Sequence, residues 1–226
     1  MKQPKCTPSC VIHFSCSVMP DFEIEAKALA NGSQCVCGVD EAGRGPWAGP
    51  VVASAVVINP KILPDCLRAQ LDDSKKLSTI VREELFLGLV SCARIGVGIA
   101  EVYEIDKINI LEATMNAMKG AIFNLDQPAP DLALIDGNRV PPLSCEAQAI
   151  VRGDSLSLSI AAASIVAKVI RDRRMVELDQ LYPGYGWAHN AGYGTAYHRD
   201  ALSTLGPTPE HRKSFAPIRK ILSPIS

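Results

Sequence analysis

Acidic residues stand at the ends of three apolar segments of the chain, where they could share one site. Asp40 and Glu41 follow the run that begins at Cys35. Asp136 ends a second run, and Asp154 follows a third. Each acid alone is typical of a turn or a cap, but as a set they would repel one another unless cations neutralised them. Carboxylate oxygens without Cys or His suit Mg²⁺ or Mn²⁺, and two such ions about 4 Å apart would clamp the attacking and leaving oxygens of a phosphoryl transfer.

The loop after the first acids and a second polar segment are candidates for binding a polyanion. Gly43 and Gly45 flank Arg44, and the missing Cβ atoms would let backbone amides approach a ligand. Arg44 would add a forked donor for phosphate. A tight turn with a solvated arginine explains this loop equally well. Ser74 and Lys75 could contact backbone phosphates or merely begin the following helix.

A long alanine-rich segment carries further cations. Lys168 and Arg171 are three residues apart and would share a helix face, so both could contact phosphate. For Arg173 and Arg174 we expect solvated positions at the end of the helix.

The hydrophobic pattern predicts strands that alternate with helices. Apolar and β-branched runs predict five strands, over residues 35–40, 51–58, 94–102, 132–136 and 147–151. Helical spacing and an N-cap at Ser78 predict helices over residues 79–92, 109–125 and 158–181. The alternation indicates an α/β domain with a three-layer or related core.

The chain divides into three predicted parts. Residues 1–30 are expected to form a flexible N-terminal extension outside the core, residues 31–180 the catalytic domain, and residues 181–226 a helical part that contributes to substrate binding. The extension contains residue types that zinc sites use: Cys6, Cys10, His13 and Cys16. Their spacing lacks the paired pattern of a zinc site, so we expect free thiols.

The charge of the chain is close to zero but unevenly distributed. Lys and Arg number 23 against 24 Asp and Glu, for a net charge of −1. Residues 1–150 carry 13 basic and 18 acidic side chains, whereas residues 151–226 carry 10 and 6. A bound polyanion should therefore face the last third, although charge alone favours ordinary solvated surface. With no secretory signal and no apolar run long enough for a membrane span, we expect a cytoplasmic protein in a reducing compartment.

Seven segments resemble the motifs of bacterial ribonuclease HII, and they occur in that family's order. The first, Gly-Val-Asp-Glu-Ala-Gly-Arg-Gly-Pro at residues 38–46, contains the first two acids. The other six are residues 73–78, 135–139, 153–155, 160–168, 192–195 and 206–212. A single motif would be weak, but seven in order over most of the chain are specific.

The resemblance implies a ribonuclease H-like fold, in which a central mixed β-sheet is flanked by helices and followed by a helical C-terminal extension. It implies an endonuclease that cuts the RNA strand of RNA/DNA hybrids. It also implies incision of DNA duplexes on the 5′ side of single embedded ribonucleotides, leaving 3′-hydroxyl and 5′-phosphate ends. Two divalent ions, Mg²⁺ or Mn²⁺, would be held by Asp40, Glu41, Asp136 and Asp154. Asp40 would bridge both ions, Asp154 would hold the ion that activates water, and the other two acids would hold mainly the second ion.

The same resemblance assigns substrate contacts. The loop 43–45 would contact the ribose 2′-hydroxyl and the flanking phosphates, and Tyr193 the sugar beside the ribonucleotide. A tyrosine that simply covers a loop is the alternative. Many relatives carry a basic residue where this chain has Leu156, so one phosphate contact would be missing.

Several alternatives stay open. A metal-free mechanism could use histidines to drive attack by a 2′-hydroxyl; since the family uses water and metal ions, we expect surface or helix contacts for His189, His198 and His211. The chain could also cut hybrids without recognising single ribonucleotides, or bind nucleic acid without cutting it. We expect a monomer, and docking on a sliding clamp stays open because residues 220–224 lack a convincing docking motif.

Overall fold

The structure, a computed structural model, describes residues 19–223. The first half of the described chain contains α1 (Glu23–Ala30), β1 (Val36–Ala42), β2 (Val51–Ile58), α2 (Asp65–Arg68), α3 (Thr79–Cys92), β3 (Ala93–Ala100), α4 (Val102–Ile108) and α5 (Ile110–Phe123). The second half contains β4 (Leu132–Asp136), β5 (Glu146–Ile150), α6 (Leu158–Leu181), α7 (Trp187–Asn190), α8 (Ala196–Leu205) and α9 (Ala216–Leu222). The predicted bounds of β2, β4, α3 and α6 are confirmed.

The strands form one mixed sheet in the order β3-β2-β1-β4-β5. β2 is antiparallel to both β1 and β3, whereas β1, β4 and β5 are parallel neighbours. The carboxyl ends of these three strands therefore meet at one edge of the sheet. Helices cover both faces, which confirms the predicted α/β class.

Each face of the sheet buries its own apolar cluster. On one face, α5 packs on β1, β2 and β3, with Met118 and Ile135 in the cluster. On the other face, α6 and α3 pack against the sheet, with Leu89 and Ile165 buried between them. Ser78 begins α3 as predicted, because its side chain accepts a hydrogen bond from the Val81 N–H.

The central helix α6 lies unusually close to β1. Ala161, Ala162 and Ala163 are completely buried, and their small side chains let the helix approach the sheet. A Cβ on Gly38 of β1 would lie 2.2 Å from the Ser159 carbonyl carbon. Glycine at this position therefore allows a contact that fixes the depth of α6 relative to the strand that ends in Asp40.

Helix α1 packs on the domain, which corrects the expectation that the whole of residues 1–30 lies outside the core. Ile24 and Ala28 contact the cluster around Leu134. Glu25 is fully buried and accepts hydrogen bonds from the Ser157 hydroxyl and the Ser159 N–H, at 2.6 and 2.9 Å. These contacts come from residues far away in the sequence. The predicted free thiols at Cys6, Cys10 and Cys16, and His13, lie outside the described residues.

The C-terminal helices surround the second half of α6. Met175 and Leu178 of α6 share a buried cluster with Trp187, Leu202 and Ile218, which come from α7, α8 and α9. Within residues 19–223, no helix has the length and apolar character needed to cross a bilayer.

Candidate active site

The ends of the parallel strands bring three of the predicted acids together. Asp40 lies near the end of β1 and Asp136 ends β4, and the register pairs the residues that directly precede them. Asp154 lies in a 3₁₀ turn that follows β5. One carboxylate oxygen from each of these acids lies within 4.8 Å of the others. Glu41, the fourth predicted acid, lines a cavity with Asp40 and Asp136 but is not part of this three-acid cluster.

Backbone N–H groups hold two of these carboxylates. Asp40 Oδ1 accepts from the Glu41 N–H at 2.7 Å. Asp136 Oδ1 accepts from the Gly153 N–H, also at 2.7 Å, and this bond ties the end of β4 to the turn that carries Asp154. The strand ends and the turn therefore form one unit.

Burial and mutual repulsion disfavour the charged forms of these acids. Desolvation, together with the charges of Glu41 and Asp136, raises the pKa of Asp40 well above its usual range. Desolvation and the charge of Asp136 likewise raise the pKa of Asp154, against the opposing effect of Lys75. The pKa of Glu41 is raised by burial, although Arg44 counteracts part of this effect. The pKa values of Asp40, Glu41 and Asp154 are thus raised even though Lys75 and Arg44 lie nearby.

The donor set fits a hard divalent cation. It offers carboxylate oxygens only, on rigid elements and at spacings that permit shared coordination. A cation here would offset both the desolvation and the repulsion that raise the pKa of Asp40. Asp40, Asp136 and Asp154 are therefore the residues that could hold one, with Glu41 beside them.

Ser74 and Lys75 lie next to the acids, as their prediction as substrate-binding residues requires. Lys75 Nζ is 4.0 Å from Asp154 Oδ2 and 3.9 Å from Asp73 Oδ1. Burial alone would lower the pKa of Lys75, but the surrounding carboxylates outweigh it and raise the pKa. Ser74 is buried, and its hydroxyl lies 2.9 Å from that of Ser164 on α6. Among the described residues, Lys75 is thus the cation closest to Asp154.

The loop after β1 has a shape that requires glycine at its first position. Gly43 has a φ of +101°, and a Cβ there would lie 2.0 Å from Arg171 Nε. Arg44 extends to Glu41, with Nη1 at 3.3 Å from Oε1. Gly43, Arg44 and Gly45 all line the cavity that contains Asp40, so the predicted loop and the predicted acids face the same space.

Tyr193 and Lys168 also line this cavity. The cavity has a volume of about 210 Å³ and is open to solvent. Tyr193 is half exposed, and its ring lies beside Gly45. Lys168 also lines the cavity, where its Nζ contacts Asp172 Oδ1 at 2.6 Å. Leu156 is exposed.

Comparison with known proteins agrees with this geometry. The family model described as ribonuclease HII matches residues 37–218. A ribonuclease HII of Rhodospirillum rubrum is 58% identical over 207 residues, which cover 91% of this chain and 93% of that protein. The chain belongs to the ribonuclease HII family. Ribonuclease HII proteins are ribonuclease H hydrolases, endonucleases that act on RNA/DNA hybrids and depend on divalent metal ions.

Solved structures show the same fold. The ribonuclease H2 from Pyrococcus horikoshii OT3 is 30% identical, with a TM-score of 0.65 over 83% of this chain and 97% of that chain. The ribonuclease HII of Archaeoglobus fulgidus, solved in complex with PCNA, is 27% identical, with a TM-score of 0.66 over 79% of this chain and 93% of that chain. The predicted ribonuclease H-like fold is confirmed.

Two buried arginines of this ribonuclease HII chain support the glycine loop. The Arg212 guanidinium donates to carbonyl oxygens of residues 43, 44, 46, 49 and 50. Arg171 donates to the carbonyl oxygens of Ala48, Pro50 and Ala191. Arg171 lines the same cavity as Lys168, so the predicted shared face is confirmed. Burial and these hydrogen bonds, however, keep the guanidinium from a phosphate, and that part of the prediction is wrong. Arg212 thus stabilises the glycine loop, and Arg171 stabilises the segment that follows it.

Two histidines form a buried pair that the sequence did not indicate. His198 and His211 are fully buried, and their Nε2 atoms lie 3.0 Å apart. The expected surface position is wrong for both, because α8 and the segment before α9 enclose them with Trp187. The expected helix contact is confirmed for His198, whose ring on α8 packs against Trp187 of α7. His189 is exposed, as expected. No sequence pattern marks the pair, since the two residues are thirteen positions apart and lie on separate elements.

Proposed function

We propose that this protein is a two-metal-ion endonuclease that hydrolyses the RNA strand of RNA/DNA hybrids and incises DNA duplexes 5′ of single embedded ribonucleotides. The observation that carries the proposal is the convergence of Asp40, Asp136 and Asp154 within 4.8 Å. This cluster adjoins a cavity lined by the glycine loop 43–45 and Tyr193. The acids suited to phosphoryl transfer thus lie beside the loop 43–45 and Tyr193, which are suited to contact a ribose.

The four acids have related roles in this proposal. When bound, two divalent ions, Mg²⁺ or Mn²⁺, supply Lewis-acid chemistry that activates a water molecule and neutralises charge on the scissile phosphate. Asp40, the most buried of these four acids, would help to hold both ions. Asp154, on the turn, would hold the ion that activates water, and Glu41 and Asp136 would hold mainly the second ion. Attack by water at phosphorus breaks the bond to the 3′-oxygen, which leaves protonated, and the phosphate stays on the 5′ end.

In this proposal, the residues that line the cavity recognise the ribonucleotide. The amides of the loop 43–45 can approach the 2′-hydroxyl closely because Gly43 and Gly45 carry no Cβ. The half-exposed Tyr193 ring lies beside Gly45 and is placed to contact the neighbouring sugar. Arg44 can exchange its contact with Glu41 for a phosphate, as a guanidinium readily does.

Three further side chains contact the phosphate backbone in this proposal. Lys75 is largely exposed and lies 4.0 Å from Asp154, so it can add positive charge near the scissile phosphate. Ser74 lines the same cavity and offers a hydroxyl. Lys168 of α6 also lines this cavity, and its ammonium group would contact a phosphate while it stays paired with Asp172. Such contacts position the duplex and carry no sequence information.

The proposal is tested by cleavage of three duplexes: all DNA, DNA with one ribonucleotide, and a long RNA/DNA hybrid. Each is incubated with Mg²⁺, Mn²⁺ or excess chelator, and the product ends are mapped. We expect cleavage of the hybrid and a single cut 5′ of the ribonucleotide, with 3′-hydroxyl and 5′-phosphate ends, and no cleavage in chelator. Full activity in chelator would contradict the metal-ion mechanism. An intact one-ribonucleotide duplex beside a degraded hybrid would contradict the recognition of single ribonucleotides.

A further inference from the structure

The buried pair of His198 and His211 takes no part in the chemistry proposed above. Neither ring belongs to the acid cluster or lines the cavity. Both are fully buried among aromatic side chains, with Trp187 and Tyr185 against them. Two buried polar rings whose nitrogen atoms are all hydrogen-bonded form a defined network.

The partners of the pair fix where each proton lies. The Thr208 N–H donates to His211 Nδ1 at 2.9 Å, so that nitrogen carries no proton and the proton of the neutral ring is on Nε2. His211 Nε2 therefore donates to His198 Nε2, 3.0 Å away. The Trp187 Nε1–H also points at His198 Nε2, at 3.2 Å, which independently requires that nitrogen to be an acceptor.

The last link of the network is the backbone of Tyr193. Because His198 Nε2 accepts, the proton of His198 is on Nδ1, which lies 3.0 Å from the Tyr193 carbonyl oxygen and donates to it. The donors thus run in one direction, from Thr208 through His211 and His198 to Tyr193. Burial lowers the pKa of His211 to about 4 and also lowers the pKa of His198, so both rings are neutral near pH 7, as this direction requires.

The backbone of Tyr193 is held at both of its polar atoms. Its N–H donates to the Asn190 carbonyl at 2.9 Å, and its carbonyl also accepts from the Thr195 N–H at 2.8 Å. The ring, in contrast, is half exposed. The only side chain that anchors the Tyr193 backbone in the described residues is His198, and His198 is itself oriented by His211.

We propose that His211 and His198 are positioning residues that set the place of Tyr193 and thereby the recognition of a ribonucleotide in duplex DNA. This inference rests on the proposed function of Tyr193. It requires that loss of the hydrogen bond between His211 and His198 changes ribonucleotide recognition only through the position of Tyr193.

Two substitutions that differ by one methylene group separate this role from a general role in stability. His211→Asn keeps an oxygen that can accept from the Thr208 N–H, but its amide is too short to reach His198. His211→Gln places its amide nitrogen near the position of Nε2 and can donate to His198. His189→Asn, on the exposed surface of α7, is the matched control.

The experiment measures kcat and KM on the one-ribonucleotide duplex for each variant, alone and combined with Tyr193→Ala. We expect His211→Asn to lower kcat/KM about five- to tenfold, the effect of one lost hydrogen bond. We expect His211→Gln to restore most of this loss and His189→Asn to match the wild type. In the Tyr193→Ala background, His211→Asn should change kcat/KM less than about twofold, because coupled residues are not additive.

Two results would overturn the inference: an equal loss from His211→Asn in both backgrounds, or wild-type kcat/KM for His211→Asn alone. Thermal melting of every variant shows whether a loss of kcat/KM comes from unfolding. If His211→Asn unfolds, His211→Gln is compared with the wild type, alone and with Tyr193→Ala. A failure of the proposed function looks different, since the wild-type protein itself would then leave the one-ribonucleotide duplex intact.

Discussion

At the scale of single residues, the acid cluster places like charges where water is scarce. Asp40 is buried between Glu41 and Asp136, and its pKa is raised because both burial and these charges oppose ionisation. Because the unfolded chain ionises this carboxyl at neutral pH and the fold opposes its ionisation, the group lowers the stability of the metal-free fold. Enzymes commonly retain such groups because function requires them.

Replacing Asp40 by Asn should therefore stabilise the metal-free protein while it abolishes cleavage. The amide oxygen can still accept from the Glu41 N–H, but the buried charge is gone. We expect a higher melting temperature than the wild type in chelator, where each kcal/mol corresponds to about 2–4 °C for a chain of this size. The exposed Asp126→Asn is the control. A variant that melts at or below the wild-type temperature would show that the buried charge does not destabilise the fold.

The acids of the site could be predicted from the sequence, whereas their supports could not. Asp40, Asp136 and Asp154 follow apolar runs, and parallel strand ends bring such positions together. Arg212, in contrast, bonds to the carbonyl of Gly43 from 169 positions away. A single sequence gives no sign that an arginine such as Arg212 or Arg171 is enclosed by carbonyl oxygens rather than exposed to phosphate.

At the scale of elements, helix α1 supports the turn that carries Asp154. Leu158 N donates to the Asp21 carbonyl at 2.8 Å, next to the first turn of α6. Glu25 Oε1 accepts from Ser157 and Ser159 at the same place, where a negative charge also interacts favourably with the helix N-terminus. The sequence of α1 does not indicate this contact, because the partners of Glu25 are more than 130 positions away.

Removal of the Glu25 carboxylate should loosen this junction. Glu25→Ala leaves the Ser157 hydroxyl and the Ser159 N–H buried without an acceptor, and we expect a loss of about 1–3 kcal/mol in the free energy of unfolding. Glu23→Ala, on the exposed side of the same helix, should cost less than about 0.5 kcal/mol. Chemical denaturation of both variants measures the difference. Equal stability of the two would show that Glu25 does not brace the junction.

Strands and helices with strong local signals could be predicted almost to the residue. The β-branched run of β2 and the Ser78 cap of α3 set their own bounds. The sequence of α1 does not predict its place in the fold, because its contacts come from distant residues: Glu25 bonds to Ser157 and Ser159, and Ile24 and Ala28 pack on the cluster around Leu134.

At the scale of the whole molecule, the near-zero net charge conceals two regions of opposite character. Without the four proposed ligands, the net charge of −1 would be +3. The last third carries the basic surplus, yet Arg171 and Arg212 of that surplus are buried and bound to carbonyl oxygens. The exposed cations, such as Lys213 beside Arg212, are the ones available to a polyanion.

Lys213 should contribute to nucleic-acid binding without affecting chemistry. Its backbone N–H is anchored to Asp106 while its side chain is exposed. In the background of Asp136→Asn, we expect Lys213→Ala to weaken hybrid binding and to reduce the slope of log Kd against log salt by about 0.7–0.9, the value for one phosphate contact. Lys119→Ala, an exposed change on α5, should leave the slope unchanged. Binding isotherms at several salt concentrations measure both, and equal slopes for the two variants would place the substrate elsewhere.

The most direct test of the central claim, that the acids at the strand ends hold the ions used for cleavage, compares Asp136→Asn with the wild type. Cleavage of the hybrid, affinity for the uncut hybrid, and Mn²⁺ binding by calorimetry are measured on the same preparations, with Asp126→Asn as control. We expect Asp136→Asn to lose cleavage by about 100-fold or more and to bind Mn²⁺ more weakly, while it still binds the hybrid. Normal cleavage by Asp136→Asn would contradict the account.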